Sequence, residues 1–147
     1  MTKITVLGGS GFLGSHLCDL LSERNFNVTI FDKNKSKYKN KNQRFIKGDI
    51  LDKQLIGKYC KEADIIHHLA GITDVPRVKS EVNHEHEKKI KLVAEEGTQN
   101  ILDVISDKCK IIMPSTHVVY EGINQVRYNI EENENTSPVL SYGKSKD

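Results

Sequence analysis

The sequence predicts an α/β fold with a doubly wound parallel sheet, and two observations support this prediction. First, five short apolar runs lack a strict alternation of apolar and polar residues, which is typical of parallel strands buried on both faces. Second, segments with helical spacing lie between these runs, as crossovers between parallel strands require. The predicted strands are residues 3–9, 26–32, 44–50, 63–71 and 109–115.

The helices are predicted from the spacing of their apolar residues. Residues 12–24 carry four leucines at helical spacing, which predicts a helix directly after the first strand. A stripe that includes Ile90, Gly97 and Ile101 predicts a long helix from about residue 80 to 106. A weaker pattern fits a helix over residues 52–61.

The composition excludes several classes of protein. A chain of 147 residues, 37% hydrophobic and 29% charged, suits one soluble domain that covers residues 1–147. Its 22 basic and 20 acidic residues give a net charge of +2, too small to favour nucleic acid or an anionic membrane as the main partner. The apolar runs are shorter than a membrane span and the first residues lack a signal-peptide pattern, so we expect a cytoplasmic protein.

The cysteines predict neither a disulfide framework nor a metal site. The chain has three of them, Cys18, Cys60 and Cys109, and no two stand in a CxxC motif. An odd number without metal-ligand spacing favours reduced, structural thiols. We therefore predict no metal.

The segment GGSGFLG, residues 8–14, stands where the first strand meets the first helix. It can be spelled Gly9-x-Gly11-x-x-Gly14 or Gly8-x-x-Gly11-x-x-Gly14. Both spellings place glycines where backbone amides at a helix N-terminus can approach a pyrophosphate. The alternative is a glycine turn that only eases the packing of helix on sheet.

Asp32 supports the dinucleotide interpretation. It ends the second predicted strand, 18 residues after Gly14, where a carboxylate can accept hydrogen bonds from an adenosine ribose and repel a 2′-phosphate. The sequence therefore predicts NAD in preference to NADP. Lys33 and Lys35 stand beside Asp32 and could offset part of that repulsion.

Tyr142 and Lys146 are four residues apart, a spacing that places two side chains on one helix face. A tyrosine held beside an ammonium is a candidate acid/base, and the alternative is an ordinary exposed pair. Ser137 can cap a helix and Pro138 can open one, so we predict a helix that begins near residue 138.

These motifs, in this order, resemble those of the extended short-chain dehydrogenases/reductases, and more narrowly the NAD-dependent nucleotide-sugar epimerase/dehydratase family. The resemblance runs from residue 3 to the last residue and implies a Rossmann-like fold, NAD as cofactor and a nucleotide-sugar as substrate. A homodimer is compatible with it. Family members are much longer, so we expect this chain to be the N-terminal portion, ending before the substrate domain. The motifs are the glycine turn, Asp32, GDI (48–50), HLAG (68–71), STHVVY (115–120) and YGKSK (142–146).

The resemblance implies a cofactor site. The glycine turn would bind the pyrophosphate, Asp49 would contact the adenine and Ile50 would lie against its ring. The end of the fourth strand would line the cofactor. Ala94 occupies a position where the family commonly has an asparagine. The implied cofactor residues are Gly8, Gly11, Phe12, Leu13, Gly14, Asp32, Asp49, Ile50, Leu69, Ala70 and Gly71.

The resemblance also implies a catalytic set of Thr116, Tyr142 and Lys146. Dehydratases of the family usually follow the threonine with acidic residues, whereas this chain has His117 and Val118. This difference favours a nucleotide-sugar epimerase that oxidises a sugar hydroxyl transiently. The alternatives are a non-catalytic dinucleotide-binding module and a reductase or dehydratase of the same family. We expect the 147-residue chain alone to bind NAD and to show little turnover.

Overall fold

The computed structural model describes residues 2–36, 43–73, 83–124, 126 and 128–147. Its strands are joined in one sheet, ordered β3-β2-β1-β4-β5, in which all neighbouring strands are parallel. This sheet confirms the predicted α/β, Rossmann-like fold class. The strands are β1 (Lys3–Leu7), β2 (Asn27–Asp32), β3 (Gln43–Lys47), β4 (Ile65–His68) and β5 (Lys110–Ile112).

Helices alternate with the strands along the chain. They are α1 (Phe12–Glu23), α2 (Lys53–Cys60), α3 (His84–Leu102) and α4 (Ser141–Lys144), together with a 3₁₀ helix (His117–Tyr120). The predicted end of α3 at about residue 106 was wrong, because the N–H groups of Val104 and Ile105 both bond to the carbonyl of Ile101 in a tight turn. Its predicted start, residues 80–82, lies outside the described residues.

The central strands form the core because they are apolar on both faces. Val6 pairs with Ile30 and Leu7 with Phe31 across β1 and β2, and all four side chains are buried. In a strand covered on both faces, every apolar side chain contributes to stability by being buried. This explains why apolar and polar residues do not alternate in these runs. Parallel pairing also brings the carboxyl ends of the strands to one edge of the sheet.

Helix α1 packs on this core through Cys18, which is fully buried against Val6, Val28 and Ile30. Burial raises the pKa of the Cys18 thiol to about 12, and the small effect of Asp19 acts in the same direction. The pKa of Cys60, at the end of α2, is raised to about 12 chiefly by burial. Both side chains therefore act as small apolar groups at neutral pH.

The chain divides into two compact units. The first comprises Met1–Gly71 and Glu96–Met113 and contains the sheet, α1 and α2. The second comprises Ile72–Glu95 and Pro114–Asp147 and contains the 3₁₀ helix and α4. The assignment of residues 1–147 to a single domain stays a prediction.

The described residues contain neither a membrane-spanning helix nor a group of potential metal ligands. Within those residues, no helix has both the length and the apolar character needed to cross a membrane. In the same part of the chain, no three His, Cys, Asp or Glu side chains are grouped so that they could hold a metal ion.

Gly14→Ala should destabilise the protein, whereas Gly57→Ala should not. A Cβ at Gly14 would lie 2.3 Å from the carbonyl oxygen of Gly8, so backbone must move, and we expect a loss of about 2 kcal/mol or more. A Cβ at Gly57, inside α2, has its nearest neighbour at 3.7 Å, and helix propensity predicts a gain of about 0.5–1 kcal/mol. Urea denaturation followed by circular dichroism measures both changes, and equal effects would contradict this account.

Candidate cofactor and catalytic sites

The glycine turn joins β1 to α1 through only a few residues and lies against the end of β4. Gly8 has φ +80°, in the left-handed region that favours glycine. A Cβ there would be 2.7 Å from the backbone nitrogen of Ala70. The N–H of Gly8 donates to the carbonyl of Phe31 at 2.9 Å, which ties the turn to the end of β2. The turn is therefore held by backbone contacts on two sides.

The N-terminus of α1 is open. Gly11 is its N-cap residue in extended conformation, and none of the described side chains caps this end. Phe12 and Leu13, the first helical residues, are 86% and 58% exposed. The first N–H groups of a helix have no partner within the helix and attract anions. The turn and the helix start therefore offer backbone donors to a phosphate.

Asp32 ends β2 with its carboxylate against the glycine turn. One oxygen, Oδ2, accepts the N–H of Ser10 at 3.0 Å, and Oδ1 accepts the N–H of Asn34 at 2.9 Å. The side chain is half-buried. The structure therefore brings the predicted ribose contact next to the predicted pyrophosphate site.

Asp49 follows β3, with its carboxylate held from two directions. Its Oδ1 accepts the N–H of Leu51 at 3.1 Å, and its Oδ2 lies 2.9 Å from the Nζ of Lys33. Partial burial raises the pKa of Asp49, but the bonds from Lys33 and from the Leu51 N–H together outweigh it and lower the pKa. The neighbouring Ile50 is buried.

The segment after β3 is fastened by Asn100 of α3, a residue that the sequence analysis missed. Its Nδ2 donates to the carbonyls of Ile50 and Leu51 at 3.1 and 3.3 Å. Gly97, one turn earlier, allows close contact, because a Cβ there would lie 2.4 Å from the Cδ1 of Ile50. Asn100 stands between the buried Gly97 and Ile101, and this polar position beside an apolar stripe was the available signal.

The chain leaves β4 through Leu69, Ala70 and Gly71, the predicted lining of the cofactor site. The N–H of Leu69 donates to the carbonyl of Leu7 at 2.9 Å. A Cβ at Gly71 would meet nothing within 4 Å, so this backbone faces open space. His68 before it is buried, and its Nε2 lies 3.1 Å from the Oγ1 of Thr98.

A cavity of about 630 Å³ adjoins the glycine turn. Within the described part of the chain, the buried Oγ of Ser10 has no hydrogen-bond partner. An unsatisfied hydroxyl beside an uncapped helix start fits a polar ligand group, and so agrees with a nucleotide at this turn. The lining residues are Ser10, Gly11, Phe12, Ser15, His16, Asp19, Asn34 and Lys35.

The three predicted catalytic residues lie in the second unit. Thr116 is the N-cap of the 3₁₀ helix, and its Oγ1 accepts the N–H of Val118 at 3.5 Å. The Oγ of Ser115 donates to the carbonyl of Lys146 at 3.0 Å. This bond joins the segment of Thr116 to the end of the chain, where Tyr142 is half-buried.

Helix α4 begins at Ser141, so the predicted start near Pro138 was wrong. The reason is that Ser137 bonds elsewhere: its N–H donates to the carbonyl of Val119, and its carbonyl accepts from Gly122. Lys146 consequently follows the helix rather than lying on it, although its N–H still bonds to the carbonyl of Gly143. Lys146 is half-buried, and burial lowers the pKa of its ammonium.

Glu121 holds this region together and was also missed by the sequence analysis. Its Oε1 accepts the N–H groups of Val139 and Leu140 at 2.8 and 2.7 Å, just before α4. A Cβ at Gly143 would lie 3.0 Å from the carbonyl oxygen of Val118, so α4 approaches the 3₁₀ helix closely. The side chain of Glu121 acts across 18 residues or more, and no local pattern encodes such a contact.

The sequence model described as the NAD dependent epimerase/dehydratase family matches residues 4–146. The chain belongs to this family. The match confirms the predicted family. Because this family depends on NAD, the match also confirms the predicted cofactor. The relatives of this chain include an epimerase, a dehydratase and a decarboxylase.

Two curated relatives illustrate this range. The chain is 34% identical over 150 residues to a putative UDP-glucose 4-epimerase of Methanocaldococcus jannaschii, covering 97% of this chain and 47% of that protein. It is 38% identical over 127 residues to the UDP-N-acetyl-alpha-D-glucosaminuronate decarboxylase of Bacillus cytotoxicus, covering 80% of this chain and 37% of the relative. The chain thus spans less than half the length of these relatives.

Solved structures of family members have the same fold. The UDP-glucose 4-epimerase of Brucella ovis, in complex with NAD, gives a TM-score of 0.79 at 27% identity, covering 99% of this chain and 45% of that one. The UDP-glucose 4-epimerase of Thermotoga maritima, with UDP-glucose, gives 0.82 at 24% identity, covering 99% and 48%. The second likeness supports the fold alone.

Glu121→Ala should loosen the segment before α4, whereas Glu121→Gln should largely preserve it. A glutamine keeps the oxygen that accepts from Val139 and Leu140, but alanine removes both bonds. Hydrogen exchange followed by NMR or mass spectrometry should show about fivefold or faster exchange of these two amides in the alanine variant, as the loss of about 1 kcal/mol predicts. Equal exchange in both variants would show that Glu121 does not hold this segment.

Proposed function

We propose that this chain carries the cofactor site and the catalytic residues of an NAD-dependent nucleotide-sugar epimerase. The observation that carries the proposal is the carboxylate of Asp32, held 3.0 Å from the Ser10 amide beside the uncapped start of α1. This arrangement offers backbone donors to a pyrophosphate and an acceptor to a ribose within one turn of chain. Support for epimerisation comes from the putative UDP-glucose 4-epimerase relative and from His117 and Val118 after Thr116.

The proposed cofactor residues are those at the carboxyl edge of the sheet. The amides of Phe12 and Leu13 would bind the pyrophosphate at the glycine turn, Asp32 would bind the ribose and Asp49 the adenine. When bound, NAD supplies the reversible hydride transfer that oxidises the sugar carbon and reduces it again. The protein contributes position and proton transfer.

The proposed chemistry of the second unit is movement of one proton. Tyr142 would accept the proton of the sugar hydroxyl and return it when the carbon is reduced. Lys146 would favour the ionised phenol through its positive charge, and Thr116 would hold the same oxygen by a hydrogen bond. Burial lowers the pKa of Lys146, so its ammonium gives up a proton more readily than a lysine in water.

A second candidate is a dehydratase, because the family includes the dTDP-D-glucose 4,6-dehydratase of Dictyostelium discoideum, 28% identical over 170 residues. Elimination of water needs an additional acid and base at the sugar. His117 and Val118 after Thr116 offer no carboxylate for this step, so the dehydratase is the second candidate. The products distinguish the two functions, since a dehydratase forms a keto-deoxy sugar and an epimerase does not.

We expect the chain to bind NAD more tightly than NADP, and Asp32→Ala to narrow that preference by about tenfold. The substitution removes both the acceptor for the ribose hydroxyls and the charge that repels a 2′-phosphate. Isothermal titration calorimetry with both nucleotides measures the two dissociation constants. Asp107→Ala is the control, because Asp107 is an exposed aspartate outside the residues that line the cavity at the glycine turn. An unchanged ratio for Asp32→Ala would remove Asp32 from the ribose site.

Tyr142→Phe should abolish whatever conversion the chain catalyses. The purified chain is incubated with NAD and a panel of nucleotide-sugars, with reduced nicotinamide followed by absorbance and products by chromatography. An epimerase yields an epimer without net nucleotide reduction, and loss of the proton acceptor should lower the rate by about a hundredfold or more. Tyr120→Phe is the control, since the only hydrogen-bond partner of the Tyr120 hydroxyl among the described residues is the carbonyl of Glu131, at 3.5 Å. Conversion that survives Tyr142→Phe would refute the catalytic assignment.

A further inference from the structure

An ion pair joins the residues directly after β2 to those directly after β3. The Nζ of Lys33 lies 2.9 Å from the Oδ2 of Asp49, and the two side chains are 64% and 35% exposed. Lys33 directly follows Asp32, and Asp49 precedes Ile50. The pair therefore connects the residue after the proposed ribose contact with the proposed adenine contact.

Lys33 is the group that could change which dinucleotide is accepted. A cation beside the ribose carboxylate can neutralise a 2′-phosphate and so admit NADP. Asp32 already accepts two backbone N–H groups, from Ser10 and Asn34, and the ammonium of Lys33 pairs with Asp49 instead. Lys33 therefore does not neutralise the charge of Asp32.

We propose that the Lys33–Asp49 ion pair is a specificity element that maintains the preference for NAD by engaging the lysine that would otherwise accept the 2′-phosphate of NADP. The proposal rests on the proposed function, because it assumes that Asp32 binds the ribose. It assigns Asp49 two roles. Its contact with the adenine affects the binding of NAD and NADP equally, whereas its ion pair with Lys33 affects only the binding of NADP.

The pair persists at neutral pH. The carboxyl of Asp49 titrates below its ordinary pKa of 3.8, so it is ionised throughout the physiological range. An exposed pair is nevertheless weak, and its effect on specificity should be moderate. We therefore express the expected effect as a ratio, the dissociation constant of NADP divided by that of NAD, in which the shared adenine contact cancels.

The test is a double-mutant cycle on the 147-residue chain, measured by calorimetry at low salt. Asp49→Asn keeps an oxygen for the Leu51 amide but releases Lys33, and the ratio should fall about fivefold. Lys33→Gln alone should leave the ratio unchanged or raise it slightly. The double variant should return to the wild-type ratio, because the released lysine is gone.

Lys35→Gln in the Asp49→Asn background is the matched control. Lys35 lines the neighbouring cavity and carries the same charge two residues away, so its removal should preserve the fall. If Lys35→Gln cancels the fall and Lys33→Gln does not, the proposal is overturned. Thermal melts monitor folding, and Asp49→Ser, whose hydroxyl can also accept the Leu51 amide, is a second variant in which the same fall is expected.

The remaining outcomes separate this proposal from the proposed function. If the wild-type chain binds NAD and the ratio is the same in both Asp49 variants, the specificity role is overturned and the proposed cofactor site stands. Wild-type chain that binds neither nucleotide overturns both. A fall that vanishes at high salt supports the proposal, since exposed charges are screened.

Discussion

The close contact between the glycine turn and its surroundings is the constraint on which the rest of the first unit depends. At Gly8 and Gly14 a single added carbon would meet backbone atoms at 2.7 and 2.3 Å. Because no side chain intervenes, α1 starts close to the end of β1, and no described side chain caps its first amides. The positions of Asp32 and of the segment after β4 follow from hydrogen bonds to this turn or to β1.

The two units achieve their geometry by different means. In the first unit, a buried apolar core sets the positions of the strand ends, and the strand ends determine where the proposed cofactor residues lie. Among the described residues of the second unit, only Ile90, Val119 and Gly143 are buried. Hydrogen bonds accepted by the Glu121 carboxylate and donated by the Ser115 hydroxyl connect its segments. Exposed hydrogen bonds open at lower cost than a packed core. The proposed proton-transfer residues therefore lie in the unit whose local structure opens at lower free-energy cost.

Much of the fold could be predicted because its determinants are local. Short apolar runs predicted the strands, and leucines at helical spacing predicted α1. The spacing of Gly8, Gly11 and Gly14 predicted the turn. The missed features are all contacts between distant positions: Asn100 with Ile50, Glu121 with Leu140, Lys33 with Asp49. The prediction of the start of α4 was wrong for the same reason. Ser137 is a residue type that can cap a helix, but its backbone bonds instead to Val119 and Gly122.

The burial of Cys18 beneath α1 has a practical consequence. Its thiol is inaccessible and resists ionisation while α1 stays on the sheet. The same holds for Cys60, the last residue of α2, whereas Cys109 is only half-buried. A thiol-specific reagent should thus modify Cys109 first and the other two only when a helix lifts away. The rate of alkylation at Cys18 would therefore report how often α1, the helix beside the proposed nucleotide site, detaches from the sheet.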